Sequence, residues 1–412
     1  MTRILRFTPH IAAAVLAYPA AAQAPATPPA ATPGFDFSGV AFGSFNMRTD
    51  SAAKASLGGQ KPNQFNLDRV YLNFRMPAGD NGSIRVTTDV FQNTSTAATN
   101  YYGGWAIRIK YAYFQYTGMK DAFGTGSSLA GRVGSLHTVV IDHQEGFWPR
   151  SLQQVAIERN GFFSSADVGA AGLLTLGNKN GEVYATVTNG PGYTSFEKDR
   201  FKDFAIRGSF TPLASRAPMN AIMKTLTITP WAYLGKVGSA FAAGGAGQIG
   251  PGTNGAITDG LARNRLGVFV GLKERRLTGG VEVAQRKDES ETGANTVVVP
   301  RVVVDSTGRV IDGFVIARPL EWMDATKKSA LSLLARVDRF TPNASPSSAN
   351  YAGTTPSYSF VVLGAAYDLN QRITLTLDWQ SQTPSGFPPA TGTNVRATPK
   401  QSTIFLHWQA TY

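Results

Sequence analysis

His137, His143 and His407 are the side chains best suited to general acid–base chemistry near neutral pH. Asp142 stands next to His143, but a hydrolytic site would also need a serine nucleophile, which the spacing does not reveal. The sequence contains no Gly-x-Ser-x-Gly motif, no His-Glu-x-x-His segment and no cysteine. We therefore predict that the protein is not an enzyme, and keep a hydrolase as the alternative.

Arginine and lysine side chains recur at alternate positions of several short segments, as Arg69 and Arg75 do within 69–76. Because a β-strand directs every second side chain to the same face, these cations would share one face of a sheet. Such a face raises the local concentration of anions when it lines a narrow passage. The cations expected on this face are Arg69, Arg75, Arg85, Arg108, Lys110, Arg132, Arg207, Arg336 and Arg372.

Fewer acidic residues fall on that face. The clearest are Asp89, Glu282, Asp338 and Asp378. The excess of cations predicts a weak preference for anions. The alternative is that the arginines pair with carboxylates and brace the wall, as Arg336 and Asp338 can do because they are same-face neighbours on one strand.

The segment 140–165 carries both signs of charge together with the aromatic Trp148. If it folds into a pore, its acidic and basic groups set up a transverse field across a constriction. The residues expected in this role are Asp142, Glu145, Arg150, Glu158 and Arg159. The alternative is an external loop whose charges are only solvated.

Alternation of apolar and polar residues identifies the elements that must position these side chains. In 69–76 the apolar set is Val70, Leu72, Phe74 and Met76. In 105–113 the same period assigns to the apolar face Trp105, Ile107, Ile109, Tyr111 and Tyr113. A barrel in lipid needs this period, with apolar residues outside and polar residues toward the lumen.

Connections alternate between short and long. Gly177–Gly181 is a compact turn, whereas 238–262 is long and rich in Gly, Thr and Asn. Short periplasmic turns and long external loops are typical of outer-membrane barrels. We therefore predict an all-β fold, a transmembrane antiparallel β-barrel of about sixteen strands within a range of about fourteen to eighteen. The least evident strand is expected at Arg309–Arg318, with 297–304 extending an external hairpin.

The N-terminal residues predict export. Arg3 and Arg6 precede an apolar stretch and three alanines that a signal peptidase accepts, which gives a signal peptide at 1–22. Residues 23–34 are mostly Ala, Pro and Thr, cannot bury enough apolar surface to fold, and are expected to form a periplasmic tether. The barrel then occupies 35–412.

The final strand carries apolar residues at alternate positions up to the aromatic Tyr412. This ending resembles the C-terminal signature by which the barrel-assembly machinery recognises outer-membrane barrels. The assembly machinery and outer-membrane lipid are therefore expected partners.

The segments 65–75, 84–90 and 108–116 resemble the first strands of the phosphate-selective O/P type of porin. Gly131–Gly134 followed by Ile157–Arg159 is similar to a later strand and loop of that family. The motifs are short and degenerate but span most of the mature chain. The resemblance implies an outer-membrane pore of sixteen strands, with a homotrimer as one assembly. It does not imply phosphate preference, because no lysine cluster matches that family's substrate site.

A barrel of this size encloses an aqueous channel. We expect a porin that passes small hydrophilic solutes, including anions, by passive diffusion and needs no cofactor. The alternative is a structural or adhesive outer-membrane barrel with a plugged lumen. The formal net charge of +12 does not indicate nucleic-acid binding, since the cations are scattered at strand spacing.

Overall fold

The computed structural model describes residues 34–412 apart from 57–58, 60–61, 94–103, 178–179, 198, 239–259, 293–301, 325, 344–356 and 386–399. The predicted signal peptide and residues 23–33 of the predicted tether lie outside the described residues. Residues Phe35–Tyr412 form one compact unit.

This unit is a closed barrel of sixteen antiparallel strands. In chain order the strands are β1 (Asp36–Arg48), β2 (Asn63–Pro77), β3 (Gly82–Asn93), β4 (Gly104–Lys120), β5 (Ser128–His137), β6 (Ala166–Thr175), β7 (Gly181–Thr188), β8 (Asp203–Phe210), β9 (Thr227–Val237), β10 (Leu261–Lys273), β11 (Leu277–Thr292), β12 (Val302–Ala317), β13 (Leu331–Thr341), β14 (Tyr358–Asp368), β15 (Ile373–Pro384) and β16 (Gln401–Thr411). Each strand pairs with its neighbours in sequence, and β1 pairs with β16 to close the cylinder. The predicted fold class and the count of sixteen strands are confirmed.

The barrel wall exposes its apolar side chains and buries its polar ones. On β11, Val281 and Val283 are 56% and 58% exposed, whereas Glu282 between them is 1% exposed. The valines face outward, where lipid hydrocarbon suits them, and the carboxylate faces inward. Closure leaves no sheet edge with unpaired backbone groups, as a sheet embedded in lipid requires.

Because of a β-bulge on β4, the predicted alternation is wrong for the residues that follow Lys110 on that strand. Thr88 of β3 pairs with Ile109, but Thr87 pairs with Tyr111, so Lys110 is an extra residue. The bulge shifts the phase by one position, because side chains alternate with a period of two. Tyr111 and Tyr113, expected on the lipid side, are therefore 3% and 8% exposed and face the lumen.

The strand expected at Arg309–Arg318 exists, and it is longer than predicted. β12 begins at Val302, and Val302–Val304 pair with the end of β11 in the same continuous ladder. These valines thus extend the hairpin as part of β12 itself. Residues 297–301 lie outside the described part of the chain.

The described α-helices are short. They are α1 (Ser51–Ser56), α2 (Ile141–Glu145), α3 (Ala156–Arg159) and α4 (Pro319–Met323). Within the described ranges, no helix has the length and apolar character needed to cross a membrane.

Candidate functional site

The segment 138–165, which joins β5 to β6, lies inside the barrel. Its residues Val140, Ile141, Ile157 and Phe162 have no exposed surface. They belong to one apolar cluster with wall residues that face the lumen, among them Tyr184, Trp231, Phe340 and Phe360. Burial of these side chains holds the segment, called the inner loop below, against the inside of the wall.

Hydrogen bonds attach the inner loop to strands β11, β13 and β15. Gln144 Nε2 of α2 donates to Glu282 Oε1 at 2.6 Å. Arg336 Nη1 donates to the carbonyl oxygen of Gln154 at 2.9 Å. Gln380 Nε2 donates to the carbonyl oxygen of Leu152 at 3.1 Å. The loop is therefore fixed along the β11–β15 side of the barrel.

The wall beneath the inner loop carries three buried carboxylates in one row. Glu282, Asp312 and Asp338 are register partners on β11, β12 and β13. Arg336 donates to both oxygens of Asp338, at 2.7 and 2.8 Å. This ion pair is the wall-bracing contact that the sequence left open as an alternative. Arg336 was expected to line the open pore, but it lies beneath the loop with 1% of its surface exposed.

Three cations on the opposite side of the barrel have neutral partners. Arg85 Nη2 donates to Asn73 Oδ1 at 3.1 Å, and Arg132 Nε donates to Gln115 Oε1 at 2.8 Å. Lys110 Nζ lies 4.6 Å from the ring centroid of Tyr71. Within the described residues, none of the three cations has a carboxylate oxygen within 4.0 Å. Arg85, Lys110 and Arg132 are called the cationic wall below.

Tyrosine rings are interleaved with the cationic wall. The guanidinium carbon of Arg85 lies 4.9 Å from the ring centroid of Tyr111, and that of Arg132 lies 5.3 Å from the centroid of Tyr113. A ring face stabilises a cation without neutralising it. Both tyrosines were predicted to face lipid, because the bulge at Lys110 has no signature in the alternation.

The remaining cations expected to line the pore are placed differently. Arg69 and Arg108 both bind Asp89, at 2.8 and 2.9 Å. Arg207 forms an ion pair with Glu182. Arg75 is exposed at the short-turn end of β2, and Arg372 is exposed in the turn before β15. Arg372 therefore lies outside the strands, because β15 begins only at Ile373.

Charges of the inner loop form their own network. Arg150 forms ion pairs with Glu145 and Glu158. Burial lowers the pKa of Arg150, but the two carboxylates outweigh it and hold the pKa above its usual value. Arg150 Nε also donates to the Tyr71 hydroxyl at 3.1 Å, which links the loop to β2. Asp142 is half-exposed, with a side chain that is 52% accessible.

The fifth expected loop residue, Arg159, points toward the far wall. Its guanidinium carbon lies 3.6 Å from the ring centroid of Phe360, and Nη2 donates to Gln382 Oε1. Burial lowers its pKa. Arg159 therefore belongs to the attachment of the loop and lies away from the cationic wall.

Two cavities adjoin the inner loop. One, of about 360 Å³, separates the loop from β1–β4 and is lined by Arg85, Lys110, Tyr111, Asp142 and Glu145 among others. The other, of about 380 Å³, is lined by residues that include Arg132, His137, Asp142, His143 and Glu182. Asp142 borders both. The cationic wall thus faces loop carboxylates across open space, which is the arrangement of a transverse field.

The three histidines of the barrel have different partners, and His137 Nε2 lies 2.9 Å from Arg85 Nη1 and 3.4 Å from Asp142 Oδ1. His143 Nε2 lies 3.0 Å from Thr229 Oγ1. Burial, followed by the charges of Arg207 and Lys273, lowers the pKa of His143 to about 3. His407 Nε2 lies 3.0 Å from Asp378 Oδ2 inside the wall. In the described part of the chain, no three His, Asp or Glu side chains are grouped to hold a metal ion.

Solved structures match this chain over nearly its whole length, whereas no protein-family model and no curated protein matches it. The anion-selective porin from Comamonas acidovorans is 11% identical with a TM-score of 0.56, and the match covers 92% of this chain and 99% of that chain. OprB of Pseudomonas putida is 10% identical with a TM-score of 0.59, covering 92% and 94%. The outer membrane channel DcaP of Acinetobacter baumannii is 12% identical with a TM-score of 0.59, covering 92% and 97%. The chain has the fold of these outer-membrane porins and channels.

Proposed function

We propose that this chain is a porin through which small hydrophilic solutes diffuse passively, with a weak preference for anions. The observation that carries the proposal is the cationic wall, whose three charges have neutral partners among the described residues and face the cavities beside the inner loop. In a narrow passage with low-dielectric walls, unneutralised cations concentrate anions. Small anions are therefore the favoured solutes.

The constriction in this proposal lies between the cationic wall and the inner loop. Asp142 and Glu145 supply negative charge on the loop side of the first cavity, opposite Arg85 and Lys110. Opposed charges orient a dipolar solute and reject one whose charges cannot be matched. We assign the constriction to Asp142, Glu145, Arg150 and Glu158 of the loop, with Arg159 serving its attachment.

A second candidate function is a structural or adhesive barrel with a plugged lumen. It draws support from the apolar cluster that the inner loop builds inside the barrel. The two cavities favour the porin, because the loop leaves space along β1–β4. Recording from planar bilayers to which the purified protein is added distinguishes the two: a porin gives steady current steps, and a plugged barrel leaves the bilayer closed.

Three further expectations belong to this proposal. The motif resemblance favours the phosphate-selective O/P type within the porin superfamily. Homotrimer assembly is supported by OmpT of Vibrio cholerae, a solved match with a TM-score of 0.50 whose structure is described as a trimer form. Insertion by the barrel-assembly machinery would act on β16 and Tyr412. The mass of the detergent-solubilised protein tests the trimer directly.

A further inference from the structure

The outer face of the barrel changes from apolar to basic on β12 and β13 at the end that carries the long connections. On β12 the outward residues Val315 and Ile311 are exposed, and Arg309 is the next outward position toward the long connections. On β13, Val337 is exposed and Arg339 follows it. Both arginines therefore lie where the apolar band of the barrel ends.

The pairing of the strands shows where the two arginines lie along the barrel axis. β12 pairs with β13 only from Arg309 to Ala317, whereas it continues along β11 up to Val302. Arg309 is therefore the outermost residue of β12 that pairs with β13. Long loops of outer-membrane barrels face the exterior, and short turns face the periplasm. The two arginines thus lie at the outer rim of the barrel.

Arg309 and Arg339 are close neighbours. Arg339 is the register partner of Ile311, and Arg309 that of Thr341, which makes the two arginines a diagonal pair. Diagonal pairs on one face have their backbones roughly 7–8 Å apart, within reach of long side chains. One anion can therefore contact both guanidinium groups.

Neither arginine is neutralised by the parts of the chain that the structure describes. Arg309 Nε donates to Gln285 Oε1 at 3.1 Å, and Arg339 Nη1 donates to Ser359 Oγ at 3.1 Å. Lys287 flanks them, and its charge is met by Asp305 at 2.9 Å. Two adjacent cations with neutral partners repel one another, and a bound anion would relieve the repulsion.

We propose that Arg309 and Arg339 bind the phosphate group of a lipid headgroup in the leaflet that faces the long loops. Phosphate is the anion that lipid headgroups present at the edge of the hydrocarbon layer. The planar fork of a guanidinium matches phosphate oxygens with two parallel hydrogen bonds. The site lies on the outer surface, so it is separate from the passage proposed for solutes.

Titration of the full chain in neutral detergent with diphosphorylated lipid A, followed by native mass spectrometry, tests this site. The Arg309→Gln/Arg339→Gln variant should bind roughly tenfold more weakly, since each basic contact near a lipid surface contributes a several-fold gain. The matched control is Arg216→Gln/Lys328→Gln, which removes the same charge from exposed positions at the short-turn end. The control should bind like the wild type, and dephosphorylated lipid A should bind the wild type as weakly as the double variant does.

Unchanged pore conductance in the Arg309→Gln/Arg339→Gln variant would show that its barrel is intact. If that variant does not insert, the single variants Arg309→Gln and Arg339→Gln give the same test, with losses of roughly threefold each. Equal losses in the control and the rim variant would overturn the proposal in favour of a general charge effect. Undiminished binding by the rim variants would also overturn it.

Discussion

Gln144 Nε2 donates to Glu282 Oε1 at 2.6 Å, and this bond joins α2 to β11 inside the barrel. Both side chains are buried. Trp231 Nε1 donates a second hydrogen bond to the same oxygen, Glu282 Oε1, at 3.1 Å. This junction is one of the bonds that hold the inner loop on the β11 side, away from the cationic wall.

Replacing Gln144 with alanine should narrow the passage, because it releases α2 from β11 and lets the inner loop move toward the cationic wall. The variant leaves a buried acceptor without one of its donors, which costs about 1–3 kcal/mol. We expect smaller single-channel conductance and more frequent current fluctuation in bilayers. Gln285→Ala removes the same kind of side chain from the outer face and should conduct like the wild type. Unchanged conductance in Gln144→Ala would show that this bond does not set the pore width.

Gly134 should tolerate no side chain, in contrast to Gly131 on the same strand. Its φ of +130° is strained for other residues, and a Cβ would collide with the carbonyl oxygen of Ala112 on β4. Gly134→Ala should cost roughly 1–3 kcal/mol or more and lower the yield of folded barrel. At Gly131 a Cβ meets nothing within 4 Å, so Gly131→Ala should fold normally. Heat-dependent gel mobility measures both, and equal yields would contradict the close approach of β4 and β5.

His143 should stay neutral in the folded protein well below pH 6. Its pKa of about 3 lies under the unfolded value of about 6.5, so the unfolded chain takes up the proton first as pH falls. The stability contributed by the neutral ring is present above pH 6.5 and is lost toward pH 3. Between pH 7 and pH 5 the loss should be on the order of 2 kcal/mol.

Urea unfolding of the wild type and of His143→Gln at both pH values measures this loss. Glutamine does not titrate, so the variant should show a smaller drop in stability between pH 7 and pH 5. Equal drops in the two proteins would mean that His143 is accessible to protons in the folded state.

Period-two alternation predicted the barrel well because lipid on one side and water on the other act on every strand alike. It placed Arg85 and Arg132 on the inner face, where they lie. It failed at Tyr111 and Tyr113, since one extra residue at Lys110 reverses the phase and the bulge has no local signature.

The interior of the site was harder to predict than the wall. Alternation directs Arg336 inward, but only the folded inner loop shows that this side chain is covered while Arg85 stays open to a cavity. The bonds that position the loop join residues far apart in sequence, as Gln144 and Glu282 are. Such pairs leave no trace in the spacing of residues.

Removal of charge from the cationic wall should weaken the preference for anions. A unit charge about 6 Å from a passing ion contributes on the order of 0.7 kcal/mol in water, a factor of roughly three. Because this charge attracts chloride and repels potassium to the same extent, Lys110→Gln should lower the ratio of chloride to potassium permeability by the product of two such factors, roughly tenfold. Lys328→Gln, at an exposed position in the connection between β12 and β13, is the matched control and should leave the ratio unchanged. An unaltered ratio in Lys110→Gln would mean that this lysine does not face the ion path.

The zero-current potential of the wild-type protein in a planar bilayer, with potassium chloride more concentrated on one side, tests the central claim most directly. An open pore with an unneutralised cationic wall predicts steady conductance and a potential with the sign of the chloride equilibrium potential. A potential with the sign of potassium, or a bilayer that never conducts, would contradict the account.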